Sequence, residues 1–144
     1  MSSYFLRGFF MSVAYQRRRH NKNLLMVHLI FVTKYRHRLL YGNFCDDVRG
    51  YLYDYCVSHN WYVKRMGFDG NHVHILLQYN PTDSITRIVS VLKQCSTWYA
   101  WRDYDSFLCQ FYWKERTLWS DGYFAASVGT VSQEGIERYI ENQG

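Results

Sequence analysis

The stretch of this chain richest in reactive groups is His72-Val73-His74, two imidazoles separated by one apolar residue. In an extended strand, alternate residues face the same side, with their Cβ atoms about 6.5–7 Å apart. Two imidazoles leaning together across that gap can share one divalent ion. A His-x-His pair also occurs in strands that hold no ligand, so the pair alone does not decide. The C-terminal segment Ile136-Glu137-Arg138-Tyr139-Ile140-Glu141-Asn142-Gln143 supplies a second pair. Tyr139 and Gln143 are i and i+4, one turn apart on one helix face. A phenol can act as a nucleophile and an amide oxygen as a neutral metal ligand. Ile136 and Ile140 sit beside them and can anchor the helix to a sheet. In a chain with 14 tyrosines, spacing alone reads Tyr139 as a core residue.

The elements that must position these groups are legible in outline. Residues 24–34 (LLMVHLIFVTK) form an apolar, β-branched run, expected as a central strand. Residues 43–59 read as a helix capped by Asn43, with Asp46 and Asp47 in its first turn. Phe44, Val48, Tyr51, Leu52 and Tyr55 recur at helical spacing. Residues 61–67 are a second strand, and Asp69-Gly70-Asn71 a hairpin turn. Residues 72–79 are a third strand, with Val73, Ile75 and Leu77 on one face and His72, His74, Leu76 and Gln78 on the other. Thr82 or Asp83 is expected to cap a helix running to about Trp101, striped by Ile85, Ile88, Val89, Leu92, Cys95 and Tyr99. Residues 102–117 carry no clear periodicity. Residues 121–130 alternate as a fourth strand with Phe124, Ala126 and Val128 on one face, and Thr130 or Ser132 caps the last helix.

The order β-α-β-β-α-β-α opens with the split β-α-β arrangement. The expected fold is α+β and ferredoxin-like: an antiparallel sheet with two helices on one face and a C-terminal helix. The histidine pair then projects from the face opposite the two helices. One domain over 23–144 follows, preceded by a basic extension, residues 1–22, containing Arg17, Arg18 and Arg19.

Bulk composition narrows the partners. Of the 144 residues, 48% are apolar, enough for a core, and the net charge is +5, which favours an anionic partner such as nucleic acid. The apolar stretch near Phe9 precedes its basic cluster, the reverse of a secretory signal. No run approaches the ~20 apolar residues of a membrane span. Cys45, Cys56, Cys95 and Cys109 form no CxxC pair, so free buried thiols in a cytoplasmic protein are expected and a zinc ribbon is not.

Three segments carry a family resemblance. GNHVHILLQ resembles the His-hydrophobic-His motif of the HUH endonuclease superfamily. VHLIFVTKYRHRLL resembles the first strand of its small single-tyrosine transposases, the TnpA type of minimal insertion sequences. LWSDGYFAASVGTVSQEGIERYIENQG resembles their last strand and catalytic helix. The resemblance runs from about residue 24 to the end, in order and spacing. It implies that His72, His74 and Gln143 hold a divalent metal, Mg²⁺ or Mn²⁺, and that Tyr139 is the nucleophile. Asp69 occupies a place where relatives often carry an acid, giving it an accessory role. Asn71 stands where many relatives have Asp, which removes a charge beside the site but no core ligand.

The implied activity is cleavage and rejoining of single-stranded DNA at hairpin-marked element ends, without ATP, by a homodimer. Lys34, Arg36, Arg38, Arg87 and Lys93 are the basic candidates for holding DNA phosphates. Two other readings stand beside it. One is a domesticated relative acting on repeated genomic palindromes. The other is a non-catalytic ferredoxin-like domain that binds nucleic acid, for which aromatic residues on the sheet face would be expected.

Overall fold

The computed structural model describes residues 25–128 and 133–143. Its elements in chain order are β1 (Met26–Val32), a 3-10 turn (Lys34–Arg36), α1 (Gly42–Ser58), β2 (Tyr62–Phe68), β3 (His72–Gln78), α2 (Ile85–Asp103), α3 (Asp105–Cys109), β4 (Phe124–Ser127) and α4 (Gln133–Asn142). The sheet order is β2-β3-β1-β4, with every neighbouring pair antiparallel. This is the expected ferredoxin-like topology, with α1 and α2 packed together on one face.

β1 is central because both of its faces are apolar. Leu29, Ile30, Phe31 and Val32 are all fully buried. Val73, Ile75 and Leu77 join Val48 and Leu52 of α1 and Ile88 and Leu92 of α2 in one core. Each such side chain contributes about 1.5–3 kcal/mol by leaving water. A one-residue slip of β3 would turn all three out and the histidines in, so the core fixes which face the histidines occupy. The register sets Ile30 beside His74 and Val32 beside His72.

Several local expectations are corrected. α1 begins at Gly42 after Tyr41, which makes no side-chain cap, so Asn43 lies inside the helix and Asp46 and Asp47 fall outside its first turn. Ser84 caps α2, accepting from the Arg87 amide at 3.1 Å. Asp83 instead accepts from the Trp61 indole at 2.9 Å and the Asn80 amide at 3.0 Å, which ties the start of β2 to the turn before α2. The unassigned 102–117 stretch contains α3, whose Leu108 is buried in the core with Tyr112. Its apolar residues pack from one short helix and a turn, too brief to show a period.

The fourth strand is shorter than the 121–130 run. Earlier in the chain, Trp119 bridges Thr33, and the Ser120 amide donates to the Val32 carbonyl at 2.8 Å. Pairing then breaks until Phe124 meets Ile30. Two residues of β1 are thus matched by four of the edge segment, which leaves Asp121-Gly122-Tyr123 bulged from the ladder. Val128 is exposed rather than sharing a packed face with Phe124 and Ala126. The caps expected at Thr130 or Ser132, the Ile136 anchor and the basic extension 1–22 lie outside the described residues or side chains. The four cysteines are free, but only Cys56 is buried and Cys109 is exposed. Among the described residues no helix is long and apolar enough to cross a membrane.

Candidate active site

His72 and His74 lie on the sheet face away from α1 and α2, as the strand alternation requires. The turn before them depends on Gly70, whose φ of +61° suits a residue without Cβ. A Cβ there would stand 2.5 Å from the Arg38 guanidinium. The Leu40 amide donates to the Gly70 carbonyl at 2.9 Å, pinning the turn to the chain after β1.

Each histidine has a partner that orients it. Asn71 Oδ1 lies 3.0 Å from His72 Nδ1, and as an acceptor it holds the hydrogen on that nitrogen. The Nε2 lone pair of His72 is thereby left for another partner. His74 Nε2 is 3.0 Å from Nδ1 of His28, a third imidazole on the neighbouring strand. Burial lowers the pKa of all three rings. Arg65 adds to the effect at His28 and His74, and Asp69 opposes it at His72. All three are therefore neutral at pH 7, the form that can bind a metal.

The helix face carrying Tyr139 and Gln143 meets the other side of the same sheet face. The Tyr139 ring packs on Phe124, with centroids 5.5 Å apart. Gln143 Oε1 accepts from Ser120 Oγ at 3.2 Å. Two rows cross the sheet in parallel: His74, Ile30 and Phe124 end at Tyr139, and His72, Val32 and Ser120 end at Gln143. One strand step of two residues on β3 matches one turn of α4. Gly122 lies between the helix pair, and a Cβ there would be 3.3 Å from Gln143 Oε1 and 3.6 Å from the Tyr139 hydroxyl.

That hydroxyl is buried and has no hydrogen-bond partner among the described residues. Burial pushes its pKa up to about 12. A buried polar group without a partner is costly, and a strained, catalytic or ion- or water-completed group accounts for it. Two imidazole nitrogens and one amide oxygen are a neutral donor set that suits a divalent ion accepting both ligand types. Among the described residues no group of three His, Cys, Asp or Glu is placed to hold an ion.

Other sequence-singled residues are placed differently. Asp69 pairs with Arg38 at 3.6 Å, and its amide donates to the His72 carbonyl at 3.0 Å. Both contacts are made from the turn before His72. Arg36 donates to the Glu141 carbonyl at 2.6 Å and so tethers α4. Lys34 pairs with Asp121 at 3.5 Å. Arg87 is exposed on the first turn of α2. Lys93 departs most from a surface phosphate contact, because its half-buried ammonium donates to the carbonyls of Ser120, Asp121 and Gly122. Sequence reading passed over His28, although its alternation with Ile30 and Val32 placed it on the histidine face. Only the β1–β3 register brings it to His74.

A ferredoxin-like sheet that carries paired histidines and a tyrosine-bearing helix on one face is an arrangement open to a DNA-processing domain. The comparisons agree. The model of the IS200-like transposases matches residues 21–143. The ISDra2 transposase TnpA of Deinococcus radiodurans is 32% identical over 83% of this chain and 84% of its own length. The transposase of insertion sequence IS200 from Salmonella typhimurium is 27% identical over 81% of this chain and 74% of its own. A crystal structure of a Deinococcus radiodurans chain described as a transposase superposes with a TM-score of 0.77 at 30% identity, covering 84% of this chain and 92% of that one. The chain belongs to the IS200-like transposase family, a class of enzymes that cut and rejoin DNA.

Proposed function

We propose that this transposase cuts and rejoins single-stranded DNA through Tyr139, with His72, His74 and Gln143 holding a divalent cation. The observation that carries this reading is the hydroxyl of Tyr139, buried and unpartnered among the described residues, beside the Gln143 amide. A core tyrosine would have its hydroxyl satisfied. Here it faces a polar group across a glycine, on the sheet face that carries the histidines.

The Tyr139 oxygen attacks a backbone phosphorus, forming the O–P bond of a 5′-phosphotyrosine while the P–O3′ bond breaks. The phenolic proton leaves as the bond forms, and the departing oxygen becomes a 3′-OH. A second 3′-OH reverses the step on another strand, so the phosphodiester energy is conserved without ATP. Mg²⁺ or Mn²⁺ bound at this place would supply positive charge to the reacting phosphate. The chain's own contribution is orientation: Asn71 and His28 set the two rings, Ser120 sets the amide, and Phe124 supports the phenol. The substrate is single-stranded DNA with hairpin ends, on which exposed aromatic rings can stack, and the working unit is a homodimer.

The test is incubation with single-stranded element ends and Mn²⁺ or Mg²⁺, followed by denaturing electrophoresis. A covalent protein–DNA adduct is expected for the wild type and none for Tyr139→Phe, with hairpin binding retained. An adduct that persists in Tyr139→Phe excludes Tyr139 as nucleophile. No adduct in the wild type would favour a domain that only binds nucleic acid.

A further inference from the structure

We propose that Lys93 is a positioning residue for this site: its ammonium group gathers the carbonyls of Ser120, the last residue in register, and of Asp121 and Gly122 in the edge bulge, and so shapes the seat of Tyr139 and Gln143. The inference rests on the function proposed above for that pair. Lys93 belongs to α2, on the sheet face opposite α4, and reaches the bulge at the sheet edge. Its Nζ donates to Ser120 O at 2.8 Å, Asp121 O at 3.2 Å and Gly122 O at 2.7 Å.

The bulge needs such a strut. Its residues are out of register with β1, so the ladder cannot order them. Behind it, a cavity of about 760 Å³ opens between α2 and the chain before β4, with Trp98, Trp101, Thr117 and Trp119 among its walls. Ser120 and Asp121 therefore border open space on that side, while Tyr123 packs against the core. An ammonium ion has three hydrogens and no acceptor, which matches three converging carbonyls. The group also lies 5.6 Å from the Phe31 ring centroid and 6.0 Å from that of Tyr123.

The opposite side of the same three residues touches the proposed chemistry. Ser120 Oγ donates to Gln143 Oε1 at 3.2 Å, and Gly122 closes against the Tyr139 hydroxyl. Displacing the bulge by a few tenths of an ångström would therefore move amide and phenol together. Burial lowers the Lys93 pKa to about 8, with Asp121 opposing this and Lys34 adding to it, so the group is mainly protonated at neutral pH.

The experiment compares wild type, Lys93→Met and Lys93→Arg, with 3-fluorotyrosine installed at position 139 as a ¹⁹F NMR probe. Lys93→Met keeps most of the stem and removes the cation. The expected result is a shifted Tyr139 resonance, at least a tenfold slower adduct formation at saturating single-stranded DNA, and DNA affinity within about twofold. Lys93→Arg should recover part of the rate. If Lys93→Met loses DNA affinity while its rate at saturation and its resonance stay unchanged, Lys93 is a phosphate contact and the inference is overturned. If Lys93→Met does not fold, Gly122→Ala tests the same seat with Lys93 in place. It should slow adduct formation at unchanged DNA affinity, and a wild-type rate would overturn the inference. If the wild type forms no adduct, the proposed chemistry fails. The ¹⁹F shift then still decides whether Lys93, or in its place Gly122, orders the seat.

Discussion

Nδ1 of His28 lies 3.0 Å from Nε2 of His74, with the two ring planes within 10° of each other. One nitrogen carries the hydrogen and the other accepts it. The bond crosses from β1 to β3 between residues that are 46 apart in the chain.

Loss of that bond should loosen metal binding. Partners that orient a histidine ligand are typically worth about 10–100-fold in metal affinity. His28→Ala is expected to weaken Mn²⁺ binding at least about tenfold, measured by paramagnetic resonance titration of free Mn²⁺. His28→Asn, which can still hydrogen-bond, should recover part of it. Equal affinity in His28→Ala and wild type would show that His74 is oriented by other contacts.

Tyr139→Phe should fold at least as stably as the wild type without DNA. An unsatisfied buried hydroxyl costs about 1–3 kcal/mol, and the low end applies because the residue as a whole is only half-buried. A gain of about 1 kcal/mol corresponds to a rise in Tm of roughly 3–4 °C for a chain of this size. A lower Tm in the variant would mean that the hydroxyl has a partner in solution.

Stability should fall with acid in a window set by the three imidazoles. Burial lowers their pKa values in the folded chain, whereas in the unfolded chain they titrate near about 6.5. Below that value the unfolded state binds more protons than the folded one, so unfolding is favoured as pH drops. Their contribution is complete above about pH 6.5 and is lost as pH falls toward the depressed folded values. Urea melts at pH 7.5 and 5.5 should show the loss, and His28→Ala should reduce it. A pH-independent midpoint would contradict the burial of these rings.

Gly70→Ala should destabilise the β2–β3 hairpin. A left-handed conformation costs a residue with Cβ about 1–2 kcal/mol. The new methyl would also displace the Arg38 side chain, which pairs with Asp69. Denaturant unfolding should report a loss of at least about 1 kcal/mol. An unchanged midpoint would show that the turn can relax into another type.

The strands were legible where the pattern was strong. The run through Ile30, Phe31 and Val32 reads as a buried strand because both its faces are apolar. The alternation around Val73, Ile75 and Leu77 places His72 and His74 on one side. A last helix after Thr130 or Ser132 was expected, with Tyr139 and Gln143 one turn apart and Ile136 and Ile140 beside them, and it is found at Gln133–Asn142. Helix starts were less legible, because Asp83 accepts from the distant Trp61 indole and the nearby Asn80 amide, and Ser84 took the cap. The segment 121–123 reads as strand by residue type, and only its mismatch with β1 makes it a bulge.

The sequence by itself determined the pairings within an element: His72 with His74 by strand alternation, and Tyr139 with Gln143 by the helical turn. These follow from local backbone geometry, which has a fixed period. Tertiary structure alone decided what stands between them. His28 reaches His74 through the β1–β3 register, the Tyr139 hydroxyl loses its partners by burial, and Lys93 reaches the bulge from the far face of the sheet. Such contacts depend on register and packing between distant segments, and no local period encodes them.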